Sequence, residues 1–315
     1  MKAPMVPIAK RVRAYCAPVD RTSETPTWFD PSVAFNFDAP PAPWIALGDV
    51  ANLKRAASSK VTAMLAGAQG AVAGQFRASL EAEVAFDFLQ WGKLQMALAG
   101  GSQHTNVLAT NGAGSSGMGN PALPPVAVLA GSSASELVLG AGAVNAFNAG
   151  DMVACDVDYQ QQTGYIGSPV AAYVRDPANV NRDRDYLRRV TFNVARVASV
   201  TATSLELAQP LVGGPPATGA QAQKVVAFAD REGGSFFQEW SMLFALEPES
   251  GGQVCFYYPR MQACAPAAES VVKCDSYETS ALHAVMTALP VKDPVDGEQV
   301  VCYRAYWPVA TADVY

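Results

Sequence analysis

Charge is scarce in this chain: only 16% of its 315 residues are Asp, Glu, Lys or Arg, against about a quarter in an ordinary soluble domain. A monomer needs a charged skin to stay dispersed, whereas a subunit that hides much of its surface against other copies does not. Positive charge is scarcer than negative, with 22 Lys+Arg against 28 Asp+Glu and a net charge of −6. The absence of a basic stripe argues against a nucleic-acid reader, since such proteins gain affinity by neutralising phosphates. Histidine is nearly missing, with only His104 and His283. No H-E-x-x-H, paired-histidine or C-x-x-C spacing occurs, so no zinc site is signalled. No apolar run reaches the roughly 18–20 residues that span a bilayer. The opening MKAPMVPIAKRVRAYCAPVD is basic but lacks the apolar stretch of a signal peptide. The expectation is a protein with no membrane anchor, made in the cytoplasm.

What is present is enough to build a core, because half the residues are hydrophobic. The length fits one large domain or two smaller ones. Six cysteines, Cys16, Cys155, Cys255, Cys264, Cys274 and Cys302, stand in a long chain without a secretion signal. They are expected as free, mostly buried thiols.

Two stretches rich in Gly, Pro, Ser and Ala look like seams: NGAGSSGMGNPALPP at 111–125 and PLVGGPPATGAQAQ at 210–223. Between them SELVLG, AGDMVACDVDY and YLRRVTFNVARVASVTATSLELAQPL form short β-branched runs separated by turn signals. Residues 121–222 are therefore read as an inserted small β-barrel or sandwich module. Residues 1–120 and 223–315 are read as two parts of one mainly β host domain with a flanking α-helix. Three serial regions with no insertion are the other reading.

The most informative element runs from Gln75 to Phe88. Even positions carry Phe76, Ala78, Leu80, Ala82, Val84, Phe86 and Phe88, while odd positions carry Gln75, Arg77, Ser79, Glu81, Glu83, Ala85 and Asp87. Alternation with period two over fourteen residues predicts an unusually long strand, roughly 46 Å at about 3.3 Å per residue. One face is apolar and meets a core; the other is acidic and meets water, as in an antiparallel sheet with one wet side. The adjoining FLQWGKLQMALAGG places Trp91, Leu94 and Leu98 on one helical stripe, and Gly100 and Gly101 are stop residues. Toward the C-terminus, FFQEWSMLFALE and VCFYYPR flank the turn PESGGQ as one hairpin. YETSALHAVMTALP and GEQVVCYRAYWP flank VKDPVDG as a second, with Asp-Gly at the bend.

Chemistry is hard to find. No spacing in the sequence gives either histidine a poised neighbour for acid–base work, so both are read as structural or incidental. The glycine-rich LAGAQGAVAG (65–74) has no G-K-[ST] ending and enters a strand, so it reads as a hairpin loop and not a phosphate cradle. Glu81, Glu83 and Asp87 lie on one open strand face, which is more simply a solvated surface than a glycosidase pair. The run RDPANVNRDRDYLRR (175–189) alternates in sign; it is a solvated loop or, on a sharper reading, an inter-subunit ion-pair patch. No cofactor is implied, and the expectation is a structural protein and not an enzyme.

The run QFRASLEAEVAFDFLQWGKLQMALAGG, preceded by PWIALGDVANLKRAASSKV and joined later by FFQEWSMLFALEPESGGQVCFYYPRMQ, resembles the tail tube proteins of tailed bacteriophages. The shared pattern is a hairpin with a long loop, a long strand, then one helix ending in Gly; AYCAPVDRTSETPTWFDP looks like the N-terminal arm of a phage virion subunit. The resemblance covers about 1–110 and 224–315, and the central module departs from it. It implies a β-sandwich with a flanking helix, hexameric rings whose inner sheets join into one barrel, and rings stacked into the tube of the virion tail. Partners would be other copies of the chain, other tail proteins, and DNA only as passing cargo. On this resemblance Arg77, Ser79, Glu81, Glu83 and Asp87 line the lumen, where acidic residues let phosphates slide unheld. Met64, Leu65, Gln69 and Val72 belong to a loop reaching the next ring. Trp28, Phe29 and Phe35 anchor the N-terminal arm on a neighbouring subunit. Other readings are a tail terminator or capsid decoration subunit, and a soluble β-rich binding module.

Overall fold

A computed structural model describes residues 9–19, 25–66, 70–90, 92–110, 123–157, 193–212, 214–231, 239–249, 251–264, 268–270 and 281–308. The chain is mainly β. It opens with β1 (Ala9–Pro18), β2 (Ile45–Ala66) and β3 (Ala71–Phe88), then helix α1 (Lys93–Gly100). Next come β4 (Gln103–Leu108), β5 (Val126–Ala127), β6 (Glu136–Val138), β7 (Met152–Val157), β8 (Val194–Val200), β9 (Ser204–Leu207) and β10 (Ala220–Arg231). The last part holds β11 (Glu239–Pro248), β12 (Gln253–Ala263), β13 (Ala268–Ser270), β14 (Ala281–Leu289), β15 (Val291–Lys292), β16 (Gln299–Val300) and β17 (Tyr303–Trp307).

The first sheet closes on itself. Its order is β13-β14-β3-β2-β1-β11-β12-β17, and β14 also pairs with β12. The path β14-β3-β2-β1-β11-β12 thus returns to β14, with every pairing antiparallel. One edge of β12 is shared: Gln253–Tyr257 pairs with β17 and Arg260–Ala263 with β14. Alternate residues point into this barrel, among them Ala14, Cys16, Leu47, Val84, Phe86, Phe88, Met242, Phe244, Leu282 and Met286, all buried in one cluster. Phe86 meets both Phe88 and Phe244 edge to face at 5.0 Å, a geometry that adds to simple area burial. Ala97, Leu98 and Ala99 of α1 join the same core. Because α1 comes after the end of β3, it covers the end of the barrel away from the β2–β3 turn.

The helix is shorter than the sequence suggests, for a local reason. Gly92 is its N-cap, in extended backbone, so the helical stripe starts only at Lys93; Gly101 ends it at φ 57, a left-handed position that glycine takes without strain. Trp91 lies outside the described residues. The β11–β12 hairpin forms as expected, turning through Gly251 and Gly252, both at positive φ. The second expected hairpin does not: β14 and β17 each pair with β12 and not with each other, and only the short β15–β16 ladder closes the Asp-Pro-Val-Asp-Gly turn. Barrel closure places both strands on one edge of β12 in succession, which outweighs the local turn signal.

The outer face of β1, β11 and β12 is also apolar, carrying Tyr15, Ala17, Leu243, Ala245, Cys255 and Tyr257, and residues 25–44 cover it together with β17. Hydrogen bonds from Tyr257 Oη to Thr27 O at 2.8 Å and from Tyr15 Oη to Phe37 O at 2.7 Å tie the cover down. Arg13 reaches Asp38 at 2.7 Å and also pairs with Glu247.

A second sheet lies between Gln103 and Arg231, in the order β4-β10-β7-β8-β9-β6 with β5 on β10. Leu129 N donates to Val138 O at 2.8 Å, which brings the chain just past β5 to β6, at the other end of this sheet. Leu137, Val153, Cys155, Val197, Leu205 and Ala222 form its core. It meets α1 where Ser102 Oγ donates to Asp230 at 2.9 Å and Lys93 Nζ lies 4.1 Å from the Phe228 ring centre. Burial pulls the Lys93 ammonium down to about 7. No helix is long and apolar enough to cross a membrane among the described residues.

Candidate assembly interface

The β2–β3 hairpin outgrows its barrel. Strands of 22 and 18 residues pair from Val50–Phe88 out to Ala66–Ala71, but β1 supports β2 only over Ile45–Asp49. On the other side β14 supports β3 only over Ala82–Phe88. Beyond those points both outer edges of the hairpin are without a strand partner among the described residues. Ser58–Ala66 alone adds roughly 30 Å of projection at about 3.3 Å per residue. An isolated two-stranded ribbon is marginal in water, and a strand edge with unpaired N–H and C=O groups is a template for another chain.

The faces of the ribbon change character along its length. From Leu80 to Phe88 burial alternates: Ala82, Val84, Phe86 and Phe88 are buried, and Glu81 and Glu83 are exposed. This is the two-sided strand expected from the sequence. Farther out the core no longer reaches: Gln75, Arg77 and Ser79 are exposed, and no described side chain from Val72 to Ser79 is buried. Val61, Met64 and Val72 are 52%, 57% and 58% exposed, so apolar side chains accompany open edges. Among the expected lumen residues, Arg77, Ser79, Glu81 and Glu83 lie exposed on one strand. Of the expected loop residues, Met64 and Val72 sit near the turn, Leu65 pairs with Val72 through the backbone, and Gln69 lies outside the described residues. The charge run at 175–189 also lies outside them.

Asp87 differs from the other acids. Its carboxylate accepts hydrogen bonds from Asn52 Nδ2 and from His283 Nδ1, each at 2.6 Å. Partial burial raises the carboxyl pKa, but the bonds from Asn52 and His283 outweigh it and leave the group below its ordinary value. Asn52 sits at φ 53, where the β2–β3 register shifts between Ala51 and Lys54. This bulge lies at the root of the projecting ribbon, where a local increase in twist re-aims a strand. Nothing in the sequence marks Asn52 as its seat; an Asn inside a strand pattern is the only hint, since Asn tolerates positive φ.

The expected arm residues Trp28, Phe29 and Phe35 lie against the outer face of their own barrel. Phe29 and Phe35 meet at 5.4 Å and Phe29 and Trp44 at 6.5 Å, while Trp28 lies against Tyr257 at 6.3 Å and Tyr303 at 6.0 Å. The arm straps its own barrel, because the outer face of β11 and β12 is apolar and needs a cover. Trp28 keeps 39% of its surface exposed.

Among the described residues no three His, Cys, Asp or Glu side chains are grouped to hold a metal ion. Cys16, Cys155 and Cys255 are buried free thiols, Cys264 is exposed and Cys302 half-buried; Cys274 lies outside the described residues. The geometry offers an interaction surface made of strand edges, apolar points and an acidic flank. No protein-family model matches the sequence, and no curated protein is significantly similar to it.

Proposed function

We propose that the chain is a structural subunit that assembles with copies of itself, as the tail tube proteins it resembles do. The observation that carries this reading is the β2–β3 ribbon, which leaves its barrel with no strand partner on either outer edge among the described residues and with exposed Val61, Met64 and Val72. Such a ribbon gains most by adding its edges to those of neighbours in a ring, which turns a marginal two-stranded element into a continuous wall. In rings of six, Glu81 and Glu83 would give the wall an acidic side suited to passing DNA without holding it. Stacked rings would form the tail tube of a virion, with the second sheet on the outer surface.

The test is assembly. Negative-stain microscopy and light scattering of concentrated protein should show rings or tubes. The double substitution Met64→Lys and Val72→Lys should leave the melting temperature unchanged and abolish them, since both side chains are exposed in the single chain. Monodisperse monomers of the unaltered protein at high concentration would refute the proposal.

A further inference from the structure

The two outer edges of the ribbon carry opposite charges on the same face. Past Asp49 the outer edge of β2 has no strand partner among the described residues, and the same holds for β3 on the turn side of Ala82. The ladder fixes the faces. Lys60 stands opposite Ser79, and Ser58 opposite Glu81, so Lys60 and Glu81 share the wet face. Both are exposed, and neither enters an ion pair among the described residues. A groove of about 350 Å³ lined by Ser58, Glu81, Glu83 and Thr287 opens where β14 ends, so there is room beside Glu81 for another side chain. On the core side Leu80 is half-buried. The register shift between Lys60 and Val61 skips Ala78 on β3 and leaves β2 regular. Val61 therefore falls on the core side too, where it is 52% exposed.

Neighbouring ribbons that point the same way place β2 of one copy antiparallel to β3 of the next. Only shifts by an even number of residues keep each face on its own side. With no shift Glu81 faces Ser58 and Leu80 faces Ser59, as they do within the chain. Two residues toward the root bring Ala56 and Ala57 to those places, and four bring Lys54 to Glu81 but Arg55 to Leu80. Four toward the turn bring Thr62 and Ala63. Two toward the turn bring Lys60 to Glu81 and Val61 to Leu80, which matches charge on one face and apolar surface on the other. A closed barrel requires staggered strands, so a shift of this kind is also what ring closure demands.

We propose that copies of the chain join edge to edge in this one register, with Lys60 of one copy paired to Glu81 of the next and Val61 packed on Leu80. The inference rests on the assembly reading above and adds to it the residues that set the stagger. Directly opposed opposite charges favour a strand pairing and like charges oppose it, so the pair selects against the other registers at every contact around the ring. Glu83, nearer the root, keeps its charge on the wet face.

The test is a charge swap read by light scattering of the full chain at low salt. Glu81→Lys and Lys60→Glu should each raise the protein concentration needed for assembly by about fivefold or more. An equimolar mixture of the two variants should assemble like the unaltered protein, because every contact in an alternating ring again joins opposite charges. Both side chains are exposed, so each variant should melt as the unaltered protein does. Lys54→Glu should leave assembly unchanged, since Lys54 meets Glu81 only in the four-residue register. If the unaltered protein assembles and Glu81→Lys assembles equally well, or if the mixture fails to recover, the register is refuted while the assembly reading stands. If the unaltered protein stays monomeric at every concentration, both are refuted.

Discussion

Replacing Asp87 by Ala removes the acceptor at the root of the ribbon, and the geometry sets the size of the effect. The carboxylate accepts two bonds of 2.6 Å, and a bond to a charged group contributes about 1.5–3 kcal/mol. The Asp87 and His283 side chains are 17% and 44% exposed, so water replaces part of what is lost and the net cost is about 2–3 kcal/mol. For a chain of 315 residues that lowers the melting temperature by about 3–5 °C. The pH dependence has a definite sign. The folded pKa of Asp87 is depressed, so its contribution is complete above the unfolded value of about 3.9 and is lost as the pH falls through the lower folded value. Calorimetric melts of both proteins should show the gap at pH 5 and above and its closure below about pH 4. Asn52→Gly should lose one bond alone, whereas Asn52→Ala should lose the bond and add about 1–2 kcal/mol of left-handed backbone strain. Equal melting of Asp87→Ala and the unaltered protein, or a gap unchanged at pH 3, would refute the argument.

Phe244→Ala should cost about 3–5 kcal/mol by leaving a cavity beside Phe86 in the barrel core, measured as a lower denaturant midpoint with an unchanged slope. Arg260→Ala removes the guanidinium whose Nε lies 2.8 Å from the buried Glu239 carboxylate, and should cost about 3–5 kcal/mol; replacing both partners with apolar residues should recover much of it in the same assay. In native protein iodoacetamide should reach Cys264 first and Cys16, Cys155 and Cys255 only after unfolding, because burial closes off those three and also pushes the Cys255 thiol up to about 12. Peptide mapping after timed labelling reads this order, and early labelling of Cys16 would contradict the placement of β1.

Local pattern carries far in this chain and then stops at a recognisable point. The alternation of Leu80 to Phe88, the β11–β12 hairpin and the glycine stop at Gly101 are all readable from neighbours in sequence. Barrel closure is not, because Arg260–Ala263 meets Met286–Leu289 through an edge vacated by β17, and no short-range signal encodes which strand takes it. The arm aromatics Trp28, Phe29 and Phe35 read as anchors, but an anchor for one's own sheet and for a neighbour's have the same composition. The second sheet draws β4 and the outer part of β10 together as Val225–Arg231 with Gln103–Leu108, a pairing across more than a hundred residues of chain.

The way the strands are interleaved also sets an order of events during synthesis. All strands of the second sheet come from residues 103–231, so that sheet can be completed before the ribosome has made β11. β1, β2 and β3 emerge earlier yet must wait for β11, β12 and β14 to close around them. During that interval the long ribbon is bare along its full length, which makes nascent chains of this protein natural clients for chaperones.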